Sequence, residues 1–426
     1  MAQTKKKIAE IKPARGSYPI SIICHSLQLV LSAGCSLRGV ERVLQVTFSS
    51  LGIDSYVPDW TTVRSWLLRL GLAQLRQPVE QADDWIWMVD CSVQIGVQKV
   101  LVIVGVRASL IEWNRSLRYE DLTLISMQVL NQAKKEDILR CLEQACRDRP
   151  MPTAILSDHG ADILAGVRLL QNSHSEVRDL YDVKHKTACM LKAALTNDDK
   201  WQSFQTALGQ SKFKTQQTLL AYATAPSQRS KARFMNLAKL VRWAKRVLWH
   251  LDSGKRTELS QDFKTQFQWV QEYRDSIEQW SQWLAVIEQT LDLIRREGLH
   301  STTPALLESR LSEFGLGAPI STGLARFVTE ESQKLHSGER VPMTTEVLES
   351  LFSKLKNIEK TQEKSGFSSL VLTLGAMIPR LTKESTLQAL ETTSNRSLKD
   401  WAKKTLGTTV QAARQAFFRT PKAQQN

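Results

Sequence analysis

The chain lacks several features that would place it in a class at once. Its six cysteines, Cys24, Cys35, Cys91, Cys141, Cys146 and Cys189, contain no Cys-x-x-Cys pair. That speaks against a disulfide-stapled secreted domain, points to a reducing compartment, and gives no sign of a structural zinc site. No apolar run approaches the roughly 18 residues needed to span a bilayer. The opening stretch MAQTKKKIAEIKPARG has no apolar core of the secretory-leader type. No internal repeat and no long low-complexity tract interrupts the sequence, which argues against a solenoid or a disordered linker protein. The expectation is a soluble intracellular protein with no membrane partner.

What is present is apolar material and positive charge. The chain has 426 residues, 42% of them hydrophobic, enough for a sizeable core and for two to four domains. There are 57 Lys and Arg residues against 43 Asp and Glu, a formal charge of +14. With a pI near 9.5 such a chain is expected to meet a polyanion, nucleic acid being the commonest.

The hydrophobic pattern divides the chain. Residues 1–17 read as a basic flexible arm and 18–80 as a helical domain. Its helices are ISIICHSLQLVLSAG, then SLRGVERVLQVTFSSLG with Ser36 as N-cap and Gly52 as its end, then TTVRSWLLRLG ending at Gly71. The last two resemble a helix-turn-helix, with Thr61, Thr62, Arg64 and Arg69 as candidate DNA contacts. A small helical packing domain is the plainer alternative. From residue 84 the pattern becomes WIWMVDCSV, KVLVIVGVRA and LTLISMQVL, three Val- and Ile-rich runs that predict strands. A helix (KKEDILRCLEQACRD), a strand (TAILSD), a helix (ADILAGVRLLQNS) and a strand (VRDLYDV) follow. Strand signals then vanish between about 186 and 335, a stretch holding six of the twelve tryptophans, Trp201, Trp243, Trp249, Trp269, Trp280 and Trp283.

Three acidic positions carry the chemistry. Asp90 ends WIWMVD, Asp158 ends AILSD, and Glu349 lies in TTEVLESLFSKLK. Phosphoryl transfer by two Mg²⁺ ions needs hard oxygen ligands converging from rigid elements. Taken singly, Asp90 reads as a turn residue and Asp158 as a helix N-cap; jointly, at the ends of the first and fourth strands, they read as metal ligands. At 100° per residue Leu348, Leu351, Phe352 and Leu355 form an apolar stripe with Glu349 on its border and Glu346 nearly opposite, facing water. Lys356 falls on the same flank as Glu349 and could hold a phosphate. Asp182 and His185 in YDVKHK form a metal pair, a substrate clamp or a helix cap, and His159 follows Asp158 directly. In SKARFMNLAKLVRWAKRVLW, Lys231, Lys239, Arg242, Lys245 and Arg246 lie on one side, so Lys239, Arg242 and Arg246 are candidate phosphate contacts. A solvated face is the commoner fate of such a stripe.

These residues together resemble the DDE transposases of mobile DNA elements, whose catalytic domain is RNase H-like. The matching pieces are Asp90 in WMVDCS, Asp158 in LSDHGADI, Asp182-x-x-His185 and Glu349 in TTEVLESLFSKLK. Asp182-x-x-His185 looks like the C/D-x-x-H motif of the Mutator-like and hAT-like groups, which carry an all-helical insertion before the catalytic Glu. Glu346 departs from the pattern, standing where Asn is usual. The 191 residues between Asp158 and Glu349 also require an insertion. The resemblance implies an α/β fold, an RNase H-like mixed sheet interrupted by an all-α insertion, with an N-terminal helix-turn-helix-like domain. The expected division is 81–188 for the first part of the core, 189–337 for the insertion, 338–400 for the second part and 401–426 for a basic tail. It further implies Asp90, Asp158 and Glu349 as catalytic metal ligands, two Mg²⁺ ions replaceable by Mn²⁺, and Asp182, His185, Lys356 and His159 as accessory residues. The partners implied are double-stranded DNA, as element ends and target, and a homodimer or higher oligomer. The setting implied is the nucleoid of a bacterial cytoplasm. The implied activity is binding of terminal inverted repeats, cleavage and joining of the 3′-OH to target DNA. A non-catalytic DNA-binding descendant, or a nuclease without strand transfer, are the alternatives.

Overall fold

The computed structural model describes all residues except 1–10, 15, 96–97, 228–233, 254–260, 315–318, 361–367, 408–409 and 419–426. Much of the basic arm, the end of the tail and Lys231 therefore lie outside the described residues. The chain divides into two compact units, one of 1–112, 117–179 and 345–426, the other of 113–116 and 180–344.

The first unit opens with three helices, α1 (Ile20–Leu31), α2 (Leu37–Leu51) and α3 (Trp60–Arg76). Local chemistry sets most of their ends. The Ser36 hydroxyl accepts the Gly39 N–H to start α2, and Gly52, at φ +62°, ends it. Asp59 caps α3, its carboxylate accepting the N–H groups of Thr61 and Thr62. One end does not follow local chemistry. Gly71 is predicted to stop the third helix, yet α3 runs through it to Arg76. A Cβ at Gly71 would sit 1.8 Å from the Leu372 carbonyl oxygen. The glycine is there for a close approach of two backbones and not for a helix stop.

Five strands follow the apolar runs: β1 (Trp85–Ile95), β2 (Gln98–Arg107), β3 (Thr123–Leu130), β4 (Ala154–Ser157) and β5 (Arg178–Tyr181). They form one mixed sheet in the order β3-β2-β1-β4-β5. β1 pairs antiparallel with β2 and parallel with β4, and β2 pairs antiparallel with β3. Between β3 and β5 come α4 (Lys135–Asp148) and α5 (Ala161–Gln171). Their apolar sides, Ile138 and Leu142 on α4 and Ile163 and Val167 on α5, pack with Trp85, Trp87, Val89 and Ile155 of the sheet. Side chains alternate along a strand, so this cluster takes every second residue of β1 and leaves Ile86, Met88 and Asp90 on the opposite face. The unit closes with α13 (Glu346–Lys360), α14 (Thr373–Met377), α15 (Lys383–Thr392), α16 (Asn395–Leu406) and α17 (Val410–Phe417). α13 packs on β1 and α14, while α14, α15 and α16 pack on α3. A Cβ at Gly375 of α14 would lie 3.2 Å from Leu124 of β3. Leu124 neighbours Ile125, which belongs to the α4–α5 side. α13 and α14 therefore cover the other face of the sheet. The N-terminal and C-terminal helices share one apolar cluster, in which Leu27, Leu44 and Leu67 meet Ala376, Ala389 and Leu390.

The second unit is helical: α6 (Val183–Leu195), α7 (Asp199–Thr215), α8 (Leu237–Asp252), α9 (Gln261–Phe267), α10 (Arg274–Glu297), α11 (Thr303–Leu311) and α12 (Pro319–Ser332). Among the described residues its β structure beyond the end of β5 is the single bridge Leu299–Val341. Its core is aromatic. The Trp201 and Trp280 rings meet edge to face at 5.1 Å, and Phe204 lies 5.2 Å from both Trp280 and Tyr273. Such pairs add to the area that they bury. Trp249 is different, being 59% exposed.

Candidate functional site

Asp90 and Asp158 come together through strand register. Val89 of β1 is the parallel partner of Ser157 of β4. The next residues of each strand path, Asp90 and Asp158, are neighbours, with strands about 4.8 Å apart. Val89 sits on the α4–α5 face, so both carboxylates belong to the face covered by α13. Burial pushes the Cys91 thiol up to about 12, and the charges of Asp90 and Asp158 add to that shift.

The surroundings differ from the simplest expectation for each residue. Asp90 does not end its strand. β1 continues to Ile95, and Asp90 pairs with Val102 on β2. What ends at Asp90 is the parallel pairing, because β4 stops at Ser157. Asp158 is not the N-cap of α5; Gly160 holds that position without a side-chain cap. The Asp158 carboxylate instead accepts the Gly160 N–H at 2.8 Å. Two residues after Asp90 and on the same strand face, Ser92 is 7% exposed and its hydroxyl has no hydrogen-bond partner among the described residues. Sequence reasoning passed over Ser92, whose signal would have been the i, i+2 relation to Asp90.

Glu349 lies in the first turn of α13, its N–H bonded to the Thr345 carbonyl oxygen. The buried side chains of α13 include Leu348, Leu351, Phe352 and Leu355, the stripe read from the sequence. Glu349 is half-buried, but so is Glu346, so Glu346 does not simply face water. Lys356 is exposed. α13 is held on its outer side by Tyr119, whose hydroxyl is 2.6 Å from that of Ser350 and whose ring lies under the Lys354 ammonium at 4.5 Å. Among the described residues no three His, Cys, Asp or Glu side chains are gathered tightly enough to hold a metal ion. Asp90 and Asp158 stand side by side, and the helix bearing Glu349 packs on their face of the sheet. These hard oxygens, with the unpartnered Ser92 hydroxyl, are the donor types that Mg²⁺ accepts.

His159, with φ +52°, places its Nε2 2.9 Å from the Asp179 carboxylate. In the second unit Asp182 is fully buried and caps α6, accepting the His185 N–H at 2.9 Å. That is the helix-cap arrangement among those open to Asp182-x-x-His185.

No family model matches the chain, and no curated protein matches it. Among solved structures it is similar to one described as the Drosophila P element transposase strand transfer complex. That likeness covers 88% of this chain and 94% of the other at 12% identity, with a TM-score of 0.44.

The candidate DNA contacts separate into two kinds. Arg64 and Arg69 are committed inside the first unit. Arg64 donates to the Ser369 hydroxyl at 3.0 Å, and Arg69 donates to the carbonyl oxygens of Thr393, at 2.5 Å, and Leu390. The hydroxyls of Thr61 and Thr62 turn back to Asp59. These four side chains tie α3 to its own cap and to the C-terminal segments, with Thr61 exposed and Thr62, Arg64 and Arg69 half-buried. In the second unit Lys239, Arg242 and Arg246 of α8 are exposed, while Leu237, Leu240, Ala244 and Leu248 are buried. Lys245, on the edge of that face, pairs with Glu278 at 3.1 Å.

Proposed function

We propose that the chain is a DDE-type DNA transposase with an RNase H-like catalytic core, which cleaves DNA at the ends of a mobile element and joins the freed 3′-OH to target DNA. The observation that carries this reading is the placement of Asp90 beside Asp158 on the sheet face against which the Glu349 helix packs. Asp90, Asp158 and Glu349 would hold two Mg²⁺ ions, with Mn²⁺ as substitute. When bound, the pair supplies activated water and charge stabilisation for in-line displacement at phosphorus.

The chain's own residues supply the rest. Strand register fixes Asp90 relative to Asp158, since neither main chain can slide without breaking the Val89–Ser157 pairing. Lys356, exposed on α13, would meet a phosphate. Lys239, Arg242 and Arg246 supply sequence-independent grip on the DNA backbone, supported by the overall charge of +14. Joining two element ends in one complex requires at least a dimer on the DNA. The protein would work on the nucleoid of a bacterial cytoplasm.

The test is to incubate the purified protein with Mg²⁺ and the DNA that flanks its own coding region on both sides. The reading expects nicks at the outer edges of inverted repeats and joined products with a supplied target plasmid. Binding without any cut, in Mg²⁺ and in Mn²⁺, would reduce the protein to a DNA-binding descendant. Cuts without joined products would make it a nuclease.

A further inference from the structure

His159 holds a left-handed backbone, φ +52°. Residues with side chains adopt that conformation at a cost, and it persists where the surroundings over-determine it. Here they do. The His159 ring and the Asp179 carboxylate meet at 2.9 Å, with each side chain only 13% exposed. The His159 N–H points to the Ser157 hydroxyl at 3.3 Å, and Ser157 is fully buried. The reversal of the chain at His159 brings the Gly160 N–H onto Asp158 Oδ1 at 2.8 Å. A Cβ at Gly160 would lie 3.1 Å from the same oxygen, a tight contact that the carboxylate would have to yield to by a few tenths of an ångström. One carboxylate oxygen of Asp158 is thus held by main chain, which leaves Oδ2 for a ligand.

We propose that His159 and Asp179 are a positioning pair that locks the left-handed turn after β4 and so aims the Asp158 carboxylate beside Asp90. This inference rests on the reading of Asp158 as a metal ligand. Groups that orient a ligand without touching the metal are typically worth about 10–100-fold in metal affinity. The role asks of His159 only that it bridge the turn to β5.

The experiment measures Mn²⁺ affinity of the full-length protein by electron paramagnetic resonance, together with cleavage of the flanking DNA. Far-ultraviolet circular dichroism confirms that each variant is folded. His159→Ala and Asp179→Ala are each expected to weaken Mn²⁺ binding by about 10–100-fold, and the double variant to be no worse than the poorer single one. His159→Asn, which tolerates the left-handed backbone and keeps an amide toward Asp179, should recover most of the loss even if His159→Ala does not fold. Mn²⁺ affinity and cleavage unchanged in both alanine variants would overturn the pair, as would a double variant whose loss equals the product of the singles. Asp158→Ala separates this from the underlying reading. If that variant binds Mn²⁺ and cleaves like the wild type, the metal role of Asp158 fails. If it loses both while His159→Ala and Asp179→Ala keep them, only the positioning pair fails.

Discussion

Val89 of β1 and Ser157 of β4 are parallel partners, and that one pairing sets Asp90 beside Asp158 across 67 residues of intervening chain. Alanine at either aspartate is expected to lower Mg²⁺-dependent cleavage by about 1,000-fold or more, since metal ligation supplies several kcal/mol of transition-state stabilisation. Binding of the same DNA in EDTA should change by no more than about twofold, because the basic surface is untouched. Gel-shift and cleavage assays on the same preparations check both. Cleavage that survives Asp90→Ala would remove that residue from the site.

Glu349 and Glu346 are both half-buried, so that distinction does not choose between them. Helical phase does, by placing Glu349 at the edge of the stripe packed toward the sheet. Glu349→Gln should abolish cleavage while Glu346→Gln keeps it within a few-fold of wild type. The reverse result would transfer the third ligand to Glu346.

Arg69 donates to the carbonyl oxygens of Leu390 and Thr393. Its removal leaves two partly buried acceptors, at about 1.5–3 kcal/mol for a charged hydrogen-bond group. Arg69→Ala should therefore lower the urea midpoint without altering DNA affinity at a fixed salt concentration. A variant of normal stability that binds DNA poorly would return Arg69 to the DNA surface.

Lys239, Arg242 and Arg246 present the opposite pattern. All three are exposed on α8, so the triple alanine variant should melt as the wild type does. Its plot of log affinity against log salt should be shallower by about 0.9 for each phosphate of duplex DNA that is no longer neutralised. An unchanged slope would leave this face merely solvated.

Asp59 links pH to the start of α3. Hydrogen bonding by Thr61, then by Thr62, outweighs burial and lowers its carboxyl from 3.8 to about 2. The folded value lies below the unfolded one, so the ionised form is favoured by folding. That stabilisation is complete above about pH 5, shrinks as the pH falls below the unfolded value and is lost as the pH passes through about 2. Asp59→Ala should cost about 1 kcal/mol at neutral pH, the usual worth of an N-cap. The difference between wild type and variant in urea unfolding should narrow from about pH 5 toward about pH 2.5; a constant difference would mean that the carboxylate charge is not what caps the helix.

The sequence determined what depends on near neighbours. Ser36 and Gly52 bound α2, and the runs WIWMVD, KVLVIV and LTLISM became strands. Leu348, Leu351, Phe352 and Leu355 became the buried side of α13. Caps, side-chain alternation and helical phase all act within a few residues. Only the tertiary structure decided the rest. Gly71 reads locally as a helix stop but lies inside α3 against the Leu372 carbonyl oxygen, 301 positions on. Nothing near Arg64 and Arg69 in sequence announces that their guanidinium groups donate to Ser369, Thr393 and Leu390, more than 300 positions on. The side-by-side placement of Asp90 and Asp158 likewise follows from register between segments far apart in sequence. Such register is set by how two apolar faces pack, and no local pattern encodes it.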